Sequence, residues 1–138
     1  MGVKLTGFDN VIDLLDRLSK KETIDAATKK AVNAAKGVVA KTMQSAIAAS
    51  EQGPNSTGSV AASVVTTDAK VNSYGTYSVA KPSGMHPSGK RNAEVAAFLE
   101  YGASNLGSRP WRSRAVTAAE PQVVEIMKQV INDEFDLD

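Results

Sequence analysis

A chain of 138 residues with 42% hydrophobic and 22% charged residues has the length and balance of a single soluble globular domain, spanning residues 1–138. Its formal charge of +1 is too close to neutral to imply nucleic-acid binding from charge alone, and the lack of cysteine excludes a disulfide scaffold and thiolate metal sites. Nothing approaches the roughly 20 apolar residues of a membrane helix, and Met1 to Thr6 lacks the apolar run of a signal peptide, so the expectation is a protein without a membrane that stays in the cytoplasm unless a particle carries it out.

Aromatic residues make up only 5% of the chain, so the core must rest mainly on Ala, Val, Ile and Leu. Such a core buries less area per residue, and partner subunits are expected to supply part of the burial.

Residues 8 to 18 read as a short amphipathic helix, with Val11, Leu14, Leu15 and Leu18 at i, i+3, i+4, i+7 and Asp9, Asp13, Asp16 and Arg17 opposite. A longer helix is expected from about Thr23, as N-cap, to about Ser50. Its apolar face is mostly alanine (Ile24, Ala27, Ala31, Ala35, Val39, Met43, Ala46), edged by Lys29, Lys30, Lys36 and Lys41. That edge reads either as the solvated border of a core helix or as a basic stripe facing an acidic partner or DNA.

Residues 51 to 59 form a loop rich in Gly, Pro, Asn and Ser. The β-branched run from Val60 to Val71, the turn Asn72-Ser73-Tyr74-Gly75 and the alternating segment Thr76 to Ala80 predict an antiparallel hairpin. The polar run 81–91 lacks a core-forming pattern, and mobile or partner-ordered loops are expected near 51–59 and 81–92. Asn92 is expected to cap a helix through Tyr101, with Val95, Phe98 and Leu99 inward and Gly102 as a left-handed stop. The last helical region covers roughly 111 to 134, broken or kinked near Glu120 because Pro121 lies inside it, with Val124, Met127, Val130 and Ile131 inward and a fraying acidic tail. The order predicts an α+β domain, a long N-terminal helix and a C-terminal helix packed on a small antiparallel sheet.

A search for chemistry finds no catalytic, cofactor-binding or metal-binding residues. His86, the only histidine, lies in a polar loop with no second histidine, cysteine or nearby carboxylate. The Gly84 to Lys90 segment spaces its glycines and lysine loosely like a phosphate loop, but Pro87 removes a backbone donor and Arg91 stands where Ser or Thr would hold magnesium. Trp111 reads as a core plug. Arg109 and Arg112 share a helical face and, with Arg114, could grip carboxylates or phosphates, or pair with Glu100 or the acidic tail.

Three stretches carry a resemblance. A short helix and a long Lys/Ala-rich helix, Phe8 to Ser50, come first. A Thr-Gly pair before a small apolar turn follows, at Thr57 and Gly58. Last come Glu100-Tyr101-Gly102, a short loop, and Arg109-Pro110-Trp111 leading into the C-terminal helix. In this order the chain resembles, over nearly its whole length, the small tail-completion or head–tail joining (minor tail) proteins of long-tailed bacteriophages and prophages. It departs from them at Ser56 (usually Asp), Ala103 (usually Thr) and Arg112 (usually apolar), and in lacking a second proline near 114.

The resemblance implies a non-enzymatic virion protein without a cofactor, located in the tail or neck and in the bacterial cytoplasm during assembly. Copies would form a homo-oligomeric ring, six-fold, that completes the tail and joins it to the head. Its partners would be the tail terminator or tail-tube protein and the head-connector proteins, with DNA passing through the channel unread. Thr57, Gly58, Glu100, Tyr101, Gly102, Arg109, Pro110, Trp111, Lys36 and Lys41 are the expected structural or interface residues, with Glu100 and Arg109 placed to pair across the loop. The other reading is a small nucleic-acid-binding module using the Lys-rich helix and Arg109, Arg112 and Arg114.

Overall fold

The first helix, α1 (Phe8–Ser19), ends at a single non-helical residue, Lys20, and a 30-residue helix, α2 (Lys21–Ser50), begins at once. A computed structural model provides this description and covers residues 8–51 and 56–136. The helix α1 is present as expected, but Leu15 and Leu18 of its expected inner stripe are exposed, as is Ile12, and the Val11 side chain lies outside the described residues. Thr23 does not cap α2. The break falls at Lys20, whose extended backbone starts the helix without a side-chain cap and whose carbonyl accepts from Ile24 N at 3.1 Å.

At 1.5 Å per residue α2 is about 45 Å long, and it forms the spine of the molecule. The C-terminal helix, α5 (Arg112–Phe135), runs antiparallel along it: Lys30 Nζ meets Glu134 at 3.0 Å near one end, and Arg114 Nη2 meets Ser50 Oγ at 2.7 Å at the other. The facing residues are small. Ala27, Ala31, Ala35 and Ala46 of α2 and Ala115 and Ala119 of α5 are buried, and side chains this small let the two backbones approach closely.

Of the break or kink expected in α5, the helix shows no break: it runs on through Pro121, an exposed position. The inner face is corrected, since Val124 faces solvent while Val123 turns inward. An interior proline cannot donate its backbone hydrogen bond and crowds the preceding turn. Pro121→Ala is therefore expected to stabilise the fold, on the order of 1–3 kcal/mol, seen as a higher midpoint in urea unfolding. The acidic tail is also anchored further than expected. Phe135 is buried, Arg17 of α1 stacks over its ring at 5.2 Å, and the Arg17 guanidinium donates to the Glu134 carbonyl.

Between the long helices the chain makes a four-residue helix, α3 (Ser59–Ala62), and four three-residue strands, β1 (Val64–Thr66), β2 (Lys70–Asn72), β3 (Gly75–Tyr77) and β4 (Ala80–Pro82). The expected hairpin is present as a nested antiparallel ribbon. β2 pairs with β3 around the Ser73-Tyr74 turn, and β1 pairs with β4, Val64 opposite Pro82. Its start is corrected: Val60 and Ala61 are helical, not extended, because Gly58 in the left-handed conformation turns the chain into α3 and buries Val60 completely. The ribbon is interrupted at 67–69 and 78–79, where Thr67 and Ser78 side chains replace ladder bonds with Thr67 Oγ1 accepting from Val79 N at 3.0 Å.

The ribbon lies against α2 through polar contacts. Thr28 meets Thr76 at 2.6 Å, Asn33 Oδ1 accepts from Ala69 N at 2.9 Å, and Lys36 reaches Asp68 at 3.1 Å. The fourth helix, α4 (Asn92–Tyr101), has Arg91 as its cap position and Asn92 as its first, buried residue, whose Nδ2 donates to Ser83 O. The polar run before it closes on itself, with His86 N donating to Lys90 O at 2.7 Å and a bridge between Met85 and Arg91. In the other loop expected to be mobile, residues 52–55 lie outside the described residues.

The hydrophobic core sits where α2, α3, α4 and the start of α5 meet, around Ile47, Val60, Val64, Leu99 and Trp111. The architecture is α+β, two long helices with a small antiparallel β part.

Candidate functional site

The expected site residues from 100 to 111 do form one structure, a joint between α4 and α5. α4 ends at Gly102, whose φ of 84° and ψ of 171° belong to a region essentially reserved for glycine. The loop then closes through Ala103 N to Leu106 O at 2.8 Å, and Arg109 N donates to Leu99 O at 2.7 Å. Pro110 follows, and Trp111 drops into the core at 4% exposure, its Nε1 donating to Ala96 O at 2.9 Å. The core-plug reading of Trp111 matches its position.

The structure gives Glu100 a role that the sequence did not suggest. Glu100 Oε2 accepts from the backbone N–H of Trp111 at 2.7 Å and of Arg112 at 3.0 Å, so the last turn of α4 supplies the anionic cap for the first turn of α5. The first N–H groups of a helix have no partner within it, and a carboxylate placed there satisfies them and favours the helix dipole. Glu100→Ala is expected to cost about 1–2 kcal/mol and Glu100→Gln, which keeps an acceptor oxygen, visibly less, both read by urea denaturation.

The arginines serve the opposite helix end. Arg109 Nη1 donates to Ser50 O at 3.2 Å and Arg114 Nη2 to Ser50 Oγ, so two cations sit on the C-terminus of α2, where unpaired carbonyls and the dipole favour positive charge. Arg114 Nε also donates to Pro110 O at 2.9 Å. Arg112 lies over the rings of Tyr101 and Trp111, 5.5 Å from each centroid, and its Nη1 donates to Tyr101 Oη at 2.9 Å. Ser50, 2% exposed, is the hub of this corner and was absent from the sequence expectations. A lone serine at a helix end carries no pattern that would mark it.

Thr57 and Gly58 stand before α3, with Thr57 Oγ1 accepting from Ser59 N at 3.3 Å, and Glu51 Oε1 holds Ala61 N at 2.8 Å. They shape the turn that feeds Val60 into the core. Lys36 and Lys41 are not part of the joint. Lys36 is tied to the β ribbon through Asp68 and Thr67 O, and Lys41 is exposed on α2. The basic edge of α2 is thus partly spent within the chain.

His86 sits apart from the joint. Its Nδ1 accepts from Ser88 N at 3.1 Å and lies 2.9 Å from Ser88 Oγ, a local turn two residues wide. Among the described residues no three His, Asp or Glu gather as a metal site requires, and no helix is long and apolar enough to cross a membrane.

Beside the joint lies an open apolar groove of about 580 Å³. It is lined by Val39 and Met43 of α2, Pro82 of β4, Trp111, and Val116 and Val123 of α5, with Lys81, Arg112 and Glu120 as its charged lining residues. Val116 is 61% exposed. Sequence pattern did not reveal this groove, because its lining comes from four separate elements. No family model, no curated protein and no solved structure matches this chain.

Proposed function

We propose that this chain is a structural protein of a tailed-bacteriophage particle, which completes the tail and joins it to the head as one copy in a ring around the DNA channel. The observation that carries the proposal is the joint itself. Of the residues that bear the resemblance, Glu100, Gly102, Arg109 and Trp111 are spent on helix caps, a glycine-only turn and a core plug, all means of fixing the angle between two helices. A part whose work is to hold a shape in an assembly needs such rigidity. Among the described residues the groove and the Ile12, Leu15 and Leu18 side of α1 leave apolar surface exposed, which suits a protein that works among partners.

The test is co-sedimentation of the purified chain with tail tubes and head connectors of the phage that encodes it. Retention on tails or connectors is expected, saturating at a fixed ratio. Failure to bind either, together with a salt-dependent affinity for short DNA duplexes, would favour the nucleic-acid-binding reading instead.

A further inference from the structure

We propose that α1 is a latched arm, which opens as a unit about Lys20 and is held closed over Phe135 by Arg17. The hinge is a single residue. Lys20, with φ of −89° and ψ of 116°, is the only non-helical position between α1 and α2. The bonds around it belong to the bend itself. Lys20 N donates to Arg17 O at 3.3 Å, Ile24 N to Lys20 O at 3.1 Å, and Lys20 Nζ meets Asp16 one turn back at 3.3 Å. None of these reaches α5 or the body of α2.

The catch is one side chain. From Ile12 to Ser19 nothing is buried; Leu14 and Arg17 are half-buried and the other side chains are exposed. Among the described residues, the hydrogen bond and the ring contact that α1 makes beyond the hinge both come from Arg17. Its guanidinium donates to the Glu134 carbonyl and lies over the Phe135 ring, 5.2 Å from the centroid. A cation on an aromatic face and a charge-assisted hydrogen bond act here through the same group, so both are made or lost together.

The rest of the fold does not depend on this contact. Ile47, at the centre of the core cluster, lies about 39 Å along α2 from Lys21, and the alanine seam of α2 with α5 is closed without α1. A 12-residue helix is at the short limit of what stands alone in water. Once Arg17 lets go, α1 therefore loses its docking and its helix together, in a local opening below the global one. The same event uncovers the Phe135 ring, otherwise 5% exposed, so the N-terminal helix and the close of α5 are masked or unmasked by one latch.

The test is amide hydrogen exchange of the full chain, read by mass spectrometry on peptides from α1, α2 and α5. In the wild type the α1 amides are expected to exchange at least about tenfold faster than those around Ala31 and Ala35, yet slower than an unstructured chain. Arg17→Ala should speed α1 exchange on the order of tenfold more and leave the centres of α2 and α5 unchanged. Phe135→Leu, which keeps apolar bulk but offers the guanidinium no ring, should speed α1 in the same direction. Wild-type α1 amides as protected as those of α2 would overturn the arm. So would an Arg17→Ala chain whose α1 exchange is unchanged, or one in which α1, α2 and α5 all speed up alike. The joining role is tested separately, by tail co-sedimentation.

Discussion

Trp111→Ala is expected to be the most damaging single substitution, costing about 3–5 kcal/mol and lowering the thermal midpoint on the order of 10 °C or more. The side chain is 4% exposed and sits among Ile47, Val60, Leu99 and Ala115 as the one aromatic side chain of that core cluster. Its removal leaves an indole-sized cavity that the aliphatic neighbours, already packed against one another, refill only in part. Trp111→Phe separates volume from polarity. It keeps most of the ring but loses the Nε1 bond to Ala96 O, and a cost of about 1 kcal/mol for the bond, plus a smaller packing loss, is expected. Differential scanning calorimetry of the two variants checks the order. Equal losses would mean that the bond, not the plug, holds the joint.

Gly102→Ala comes second. A Cβ at this position would lie 3.0 Å from Leu106 O and 3.1 Å from Ser108 N, both backbone atoms that cannot swing away, and the backbone itself is in a glycine-only region. Strain of about 1–3 kcal/mol adds to the overlap, so a loss of about 3 kcal/mol or more is expected by urea unfolding. Gly107→Ala, in the same loop, is the control. Nothing lies within 4 Å of its added Cβ and its φ is not positive, so a change of about 0.5 kcal/mol or less is expected. The contrast separates a glycine required by geometry from one that merely fills a loop. Because Gly102 and Trp111 flank the same loop, their effects should couple rather than add.

Local signals in the sequence carried much of the fold. Period 3.6 in the alanine face of residues 24 to 46 located α2, and the polar turn at 72 to 75 located the tip of the ribbon. Where the reading failed, a distant partner had decided. Val60 is β-branched and looks like strand, yet Gly58 and a fully buried site make it helical. Val124 and Val123 are adjacent and equally apolar, and only the position of α2 selects Val123 for the inside. Pro121 marks a helix break by local rules, but the seam of Ala115 and Ala119 against α2 carries the helix through it.

The candidate site divides in the same way. Gly102, Pro110 and Trp111 could be read directly, since each acts through its own backbone or bulk. Glu100 and Arg109 were recognised as important but expected to pair with each other. Their contacts run instead to helix ends, Glu100 to the start of α5 and Arg109 to the close of α2, and those partners are backbone groups that no residue pattern records. The apolar groove is a product of assembly alone. Its walls come from residues 39–43, 80–82, 93–96 and 111–123, which meet only when α2, β4, α4 and α5 are packed.

The joining role is tested most directly by locating the chain on its particle, with immunogold electron microscopy of intact virions and of detached tails. Label is predicted at a single place, the head-proximal end of the tail, present on tails that have joined heads. Label spread along the tail tube, or none on purified virions while the free protein carries it, would contradict a tail-completion or head–tail joining role.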